Sequence, residues 1–248
     1  MPIRAVLFDL GNTLWHIPAP PPHEKVREET VRRISALLRS WGIEPEGELF
    51  FLGRDIRLAV TEADRRAYEG DGVSPHFGAI VQQVAADKGL SLSREQSEQL
   101  WRTWNLEGSF FGRRLLDDAL ETLEALRRRG YRTGCVTNRP FSGPAFVGEL
   151  DEHGLSELLD VISISCDVGY LKPHPKIFEH ALEALDVPAE EAAMVGDSLR
   201  ADVGGAQALG LTAVWLRRPA SAEAVDGVRP DFVVDTLGQV PQLPCFAR

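Results

Sequence analysis

The chain has 248 residues, enough for one large domain or two unequal ones, with a core that needs neither disulfides nor a structural metal. Hydrophobic residues at 44% and charged residues at 26% exclude wholesale disorder. With 27 Lys and Arg against 37 Asp and Glu, the formal charge of −10 repels phosphate backbones and anionic lipid. Nucleic acid and membrane are therefore poor partners, although a local basic pocket could still hold a small anion.

The first predicted element is an apolar strand over 3–8 that ends in Asp9. It is too short for the apolar region of a signal peptide, and no run in the chain approaches the roughly 18 apolar residues of a membrane span. Pro18-Ala19-Pro20-Pro21-Pro22 reads as a stiff connector. Four helical patterns follow, over 23–41, 46–68, 75–88 and 93–106, the last opened by a Ser93-x-x-Gln96 capping box. Trp41, Trp101 and Trp104 are expected to pack these helices.

From about residue 117 the pattern changes. A helix over 117–129 carries Leu120, Leu123 and Leu126, with acids in its first turn, arginines in its last and Gly130 as a stop. Strands at 131–136, 161–165, 192–195, 211–216 and 231–234 then alternate with helices at 176–185 and 200–209. Such short, continuously apolar runs suit strands buried on both faces. The fold class is α/β: a doubly wound, mostly parallel, Rossmann-like sheet. The catalytic core would comprise 1–14 and 113–248, and an inserted helical cap 15–112.

The cysteines at 135, 166 and 245 form no C-x-x-C, and no H-E-x-x-H occurs. A disulfide framework and a zinc site are unexpected, and a cytoplasmic location fits. Cys135 and Cys166 read as small buried core residues.

Open α/β sheets bind ligands beyond the carboxyl ends of their strands. Those ends supply Asp9, Thr137-Asn138, Lys172 in Gly169-Tyr170-Leu171-Lys172-Pro173, and Gly196-Asp197-Ser198 followed by Asp202. Neighbouring carboxylates repel unless a cation sits among them, and all-oxygen ligation suits Mg²⁺. A lysine and a hydroxyl beside them would cradle an anion, and an ionised aspartate can be a nucleophile.

Ala5-Val6-Leu7-Phe8-Asp9-Leu10-Gly11-Asn12-Thr13-Leu14 resembles the first motif of the haloacid dehalogenase-like (HAD) hydrolases. Val136-Thr137-Asn138, Lys172-Pro173 and Gly196-Asp197 through Asp202 resemble the second, third and fourth, in order and over nearly the whole chain. The resemblance implies that Asp9 is nucleophile and Mg²⁺ ligand, with the Gly11 carbonyl, Asp197 and Asp202 also at the metal. It implies that Thr137 and the Asn138 backbone bind the transferred group and that Lys172 neutralises charge on nucleophile and substrate. Asp202 has a second reading, as an acid in the first turn of the 200–209 helix.

One position departs from the family. Its phosphatases usually carry a second Asp two residues after the nucleophile, as general acid and base. Gly11 stands there, although some members with a Gly-Asn pair at this place are regarded as phosphatases. A positioned acid–base is worth about 10²–10⁴-fold in rate. His16 is either a surrogate acid or a partly exposed hinge residue, and Arg139 either a substrate contact or a solvated loop residue. The expected activity is Mg²⁺-dependent hydrolysis of a small phosphorylated metabolite through an aspartyl-phosphate. The alternatives are a 2-haloacid dehalogenase or a non-catalytic phospho-ligand binder.

Overall fold

The computed structural model describes residues 2–218 and 225–247. In chain order its elements are β1 (Ala5–Phe8), β2 (Trp15–His16), α1 (His23–Ser40), α2 (Leu52–Glu69), α3 (Phe77–Asp87), α4 (Arg94–Trp104), β3 (Arg114–Leu115), α5 (Ala119–Arg128), β4 (Arg132–Thr137), α6 (Pro144–Glu152), β5 (Val161–Ile164), α7 (Ser165–Val168), α8 (Pro175–Leu185), β6 (Ala192–Gly196), α9 (Gly205–Leu209), β7 (Thr212–Leu216) and β8 (Phe232–Val234).

Six strands form one sheet in the order β5-β4-β1-β6-β7-β8, every pair parallel. All six were expected from the sequence. The central strand β1 pairs with β4 on one side and β6 on the other. Strand order runs outward in opposite directions from β1, so its carboxyl end lies at the topological switch point where such sheets open a crevice.

Successive side chains of a strand point to opposite faces, and β1 obeys that rule. Val6 and Phe8 pack with Leu123 and Leu126 of α5 and with Phe146 and Leu150 of α6. Ala5 and Leu7 pack on the other face with Ile177 and Phe178 of α8 and Ala206 of α9. Each fully buried large apolar side chain contributes about 1.5–3 kcal/mol, so both layers hold β1 in place. Because β1 is buried on both sides, the polar residue that ends it is held on a rigid element.

The helices α1–α4 fall between β1 and α5 and build a separate apolar cluster from Ile34, Leu38, Ile56, Val81, Leu100 and Trp101. Ser93 and Gln96 form the expected capping box of α4. The chain leaves and re-enters the sheet region through a two-stranded antiparallel ribbon, with Trp15 opposite Leu115 and His16 opposite Arg114. Trp101 stacks on Phe77, Trp104 and Phe141, the last at 4.2 Å, so this tryptophan joins the insert to the loop after β4. A second tie is backbone to backbone: Ser74 donates to the Gly169 carbonyl at 2.9 Å and Leu171 to the Gly72 carbonyl at 2.8 Å.

Four local readings change. The pattern over 46–68 splits into a 3-10 turn at Gly47–Phe51 and the helix α2. The pattern over 200–209 begins as a π turn, Leu199–Gly204, and becomes α-helical only at Gly205. Helix α6 was not expected; its signals are Pro144 in the first turn and Phe146 with Leu150 at helical spacing. Cys135 is buried as expected, but Cys166 is only partly so, because it follows the edge strand β5. Among the described residues no helix is long and apolar enough to cross a membrane.

Candidate active site

Three strand ends, those of β1, β4 and β6, and the loop between α7 and α8 meet at the carboxyl edge of β1. Asp9 leaves β1 with its amide donating to the Val195 carbonyl at 2.9 Å, which continues the β1–β6 ladder by one residue. A tight turn follows, with Leu14 and Trp15 both donating to the Leu10 carbonyl at 3.0 Å. Asn12 takes φ +56° within it, a left-handed conformation that asparagine tolerates better than most residues. Gly11 is not left-handed, and a Cβ there would meet no atom within 4 Å.

Lys172 is the hub. Its side chain is 2% exposed, and its ammonium donates to Asp9 Oδ1 at 2.6 Å, Asp202 Oδ1 at 2.7 Å and the Val136 carbonyl at 2.6 Å. All three ammonium protons are thereby engaged. Burial disfavours the charged amine, but Asp202 and Asp9 outweigh it and hold the lysine above its usual pKa. A long side chain is fixed here by its backbone as well. Asn138 Nδ2 donates to the Lys172 carbonyl at 3.0 Å, while Asn138 Oδ1 accepts from the Lys172 amide at 2.7 Å. The Asn138 side chain is thus a clamp on the lysine, a role that the sequence reading did not give it.

Asp202 is fully buried. Its second oxygen accepts from the Ser198 amide at 2.9 Å. Burial pushes its carboxyl up to about 7, opposed by the Lys172 ammonium. Asp202 does sit in the first turn of the helical segment that opens at Leu199, as its second reading expected, and it also borders the cleft with its carboxylate turned inward onto Lys172. Gly196 makes this possible. A Cβ at that position would stand 2.2 Å from an Asp202 carboxylate oxygen, so only glycine admits the carboxylate.

Asp197 is placed by the indole of Trp215 in β7, whose Nε1 donates to the Asp197 carbonyl at 2.9 Å. Nothing in the local sequence around Asp197 signals that contact, because Trp215 comes from the next strand.

Carboxylate oxygens of Asp9, Asp197 and Asp202 lie within 4.8 Å of one another. Three acids facing one lysine leave net negative charge, and the donors are all oxygen. Such a set fits a hard divalent cation. The cleft above it, about 480 Å³, is also lined by Gly11, Thr137, Asn138, His16, Tyr68 and Arg139. Every site residue singled out in the sequence therefore borders one cleft. His16 lies on the ribbon and in the cleft wall, where both of its readings would put it. Tyr68 and Arg113 are additional lining residues, the first contributed by the insert.

The family model described as haloacid dehalogenase-like hydrolase matches residues 3–210, and the chain belongs to that family and is a hydrolase. A protein of Halopiger xanaduensis named ribulose-1,5-bisphosphate 5-phosphatase is 30% identical over 251 residues, covering 96% of this chain and 98% of its own. A glyceraldehyde 3-phosphate phosphatase of Methanopyrus kandleri is 30% identical over 238 residues, 94% and 93% of the two chains. Among solved structures, a HAD phosphatase from Thermococcus onnurineus matches with TM-score 0.56 and 28% identity over 97% of each chain. A 2-haloacid dehalogenase from Pseudomonas syringae matches with TM-score 0.63 and 22% identity over 97% of each, a likeness of fold.

Proposed function

We propose that this chain hydrolyses small phosphate monoesters through an aspartyl-phosphate on Asp9, with Mg²⁺ held by Asp9, Asp197, Asp202 and the Gly11 carbonyl. The observation that carries this reading is the Lys172 ammonium bridging Asp9 and Asp202. The phosphatase names of relatives aligned over nearly the full length support the substrate class.

Lys172 occupies Asp9 Oδ1, and Asp9 Oδ2 accepts no hydrogen bond from the described residues. We assign attack to Oδ2. It forms a bond to phosphorus as the bond to the ester oxygen breaks, and the electron pair leaves with the alcohol fragment. Thr137 and the Asn138 backbone receive the phosphoryl oxygens, and Lys172 meets charge that shifts during transfer, as electrostatic catalysis requires. Water then attacks phosphorus, releasing inorganic phosphate and restoring the Asp9 carboxylate. A bound Mg²⁺ would supply charge neutralisation for nucleophile and phosphoryl group.

Helices α1–α4 act as a cap over the cleft, with residues 15–112 as its bounds and the β2–β3 ribbon as its connection. Closing a cleft excludes water from the reacting atoms. The three free thiols support a cytoplasmic location.

Asp9→Asn keeps the shape and removes the nucleophile. We expect turnover of a phosphate ester to fall by about 10⁴-fold or more, with the melting curve retained, and wild-type activity to vanish in chelator and return with Mg²⁺. Wild-type turnover in the variant would sink the nucleophile assignment. Undiminished release of halide from a 2-haloacid in chelator would favour the dehalogenase reading, which Gly11 leaves chemically reasonable because halide departs without a proton.

A further inference from the structure

The catalytic cleft shares Arg113, Asn138 and Arg139 with a second cavity of about 630 Å³ beneath the inserted helices. The two guanidinium groups at that junction differ in their partners. Arg113 is paired with Glu149 at 2.5 Å, both side chains being 12% exposed. The other oxygen of Glu149, Oε1, is buried and accepts no hydrogen bond from the described residues, so Arg139 does not bond to this carboxylate.

Arg139 makes no ion pair among the described residues. Its Nε donates to the Phe141 carbonyl at 3.4 Å, and its guanidinium lies 4.3 Å from the Phe146 ring centroid and 5.8 Å from that of Trp15. Two cations thus face one carboxylate, which leaves unbalanced positive charge where the two cavities meet. Burial and the Arg113 charge pull the Arg139 pKa down to about 10, the mark of a cation short of compensation. The aromatic rings orient the guanidinium plane, and a planar guanidinium takes carboxylate or phosphoryl oxygens two at a time. Arg139 follows Thr137-Asn138 directly, so the second anion would sit a short linker away from the reacting phosphoryl group.

We infer that Arg139, beside Arg113, binds a second anionic group, a carboxylate or another phosphoryl group, on the part of the substrate that leaves. The substrates would be short phosphate monoesters with two anionic ends. The leaving-group part of this inference rests on the phosphatase reading; the anion site does not.

The test uses phosphonates, whose P–C bond is not hydrolysed, so binding is read without turnover. Calorimetry on the whole chain with saturating Mg²⁺ compares phosphonoacetate, methylenebisphosphonate and ethylphosphonate. At least one of the two-anion ligands should bind about tenfold or more tightly than ethylphosphonate. Arg139→Gln should bring that ratio close to one, and Arg139→Lys should keep part of it. A preference caused only by metal chelation would survive in Arg139→Gln and overturn the inference, as would a wild-type ratio near one. If Arg139→Gln fails to fold, the wild-type ratio decides through salt: it must shrink as ionic strength rises, and a constant ratio overturns the inference. A preference that disappears in Arg139→Gln, in a protein that hydrolyses no ester, would leave the anion site standing and remove only the phosphatase reading.

Discussion

The sheet edge and the space beneath the inserted helices use charge in opposite ways. At the sheet edge, Lys172 and Asp202 are matched before any ligand arrives: Lys172 spends all three protons, and both Asp202 oxygens accept hydrogen bonds. In the second cavity, Arg139 and Asp64 have no ion pair among the described residues. Preorganised dipoles and charges cost no rearrangement at the moment of reaction. Unmatched groups gain most when a ligand supplies the missing partner. On the proposed reading, this difference assigns chemistry to the edge of β1 and selectivity to the junction with the insert.

The sharpest way to break that contrast is to remove the hub. Lys172→Ala strands two buried carboxylates, Asp9 and Asp202, without their ammonium. Breaking a buried pair by deleting one partner costs about 3–5 kcal/mol, and losing a charge-stabilising donor costs about 10²–10³ in turnover. Denaturant unfolding and steady-state kinetics should show both losses together. Lowered affinity alone, with unchanged turnover and stability, would reduce Lys172 to an anchor.

Adding a group that the edge lacks should sharpen the contrast. Without a carboxyl at Gly11, an alkoxide must leave unprotonated or take its proton from water or from His16 in the cleft wall. Single-turnover phosphorylation of Asp9 should therefore slow steeply as leaving-group basicity rises, with nitrophenyl phosphate ahead of simple alkyl esters. The backbone at Gly11 is not left-handed and the space around it is open, so an aspartate is sterically admissible. Gly11→Asp should raise the rate for alkyl esters by about 10²-fold and flatten the series. A flat wild-type series would instead identify a surrogate acid, with His16→Ala as the next variant.

The smallest effect belongs to the second cavity. Burial raises the Asp64 carboxyl above its ordinary value. A raised folded pKa means that folding disfavours the ionised form, so stability falls as pH rises from the unfolded value, about 3.9, through the folded one. Asp64→Asn removes that penalty. Its melting temperature should exceed wild type slightly at neutral pH, and the gain should vanish below about pH 4. A gain that persists at low pH would mean the effect is packing rather than charge.

Much of this was legible along the chain because it is local. Short runs that end at Thr137 or Gly196, or just before Asp9, state both the strand and the side of the sheet that carries the candidate site. The capping box at Ser93 is a three-residue rule and formed as written. The ends of the predicted helices moved by a few residues, since capping and packing decide boundaries.

The sequence by itself determined the alternation of strands and helices, the helical insert after the first motif and the acids, lysine and hydroxyl that the sheet edge would gather, because each rests on spacing within one segment. Only the tertiary structure decided which oxygen of Asp9 the lysine takes, that Asn138 grips Lys172, that Trp215 holds Asp197, that Gly196 must lack a Cβ beside Asp202, and that Arg139, with no ion pair among the described residues, stands between two cavities. These pairings join residues brought together by crossover connections and turns. Their energies depend on burial and distance, which composition and periodicity do not encode.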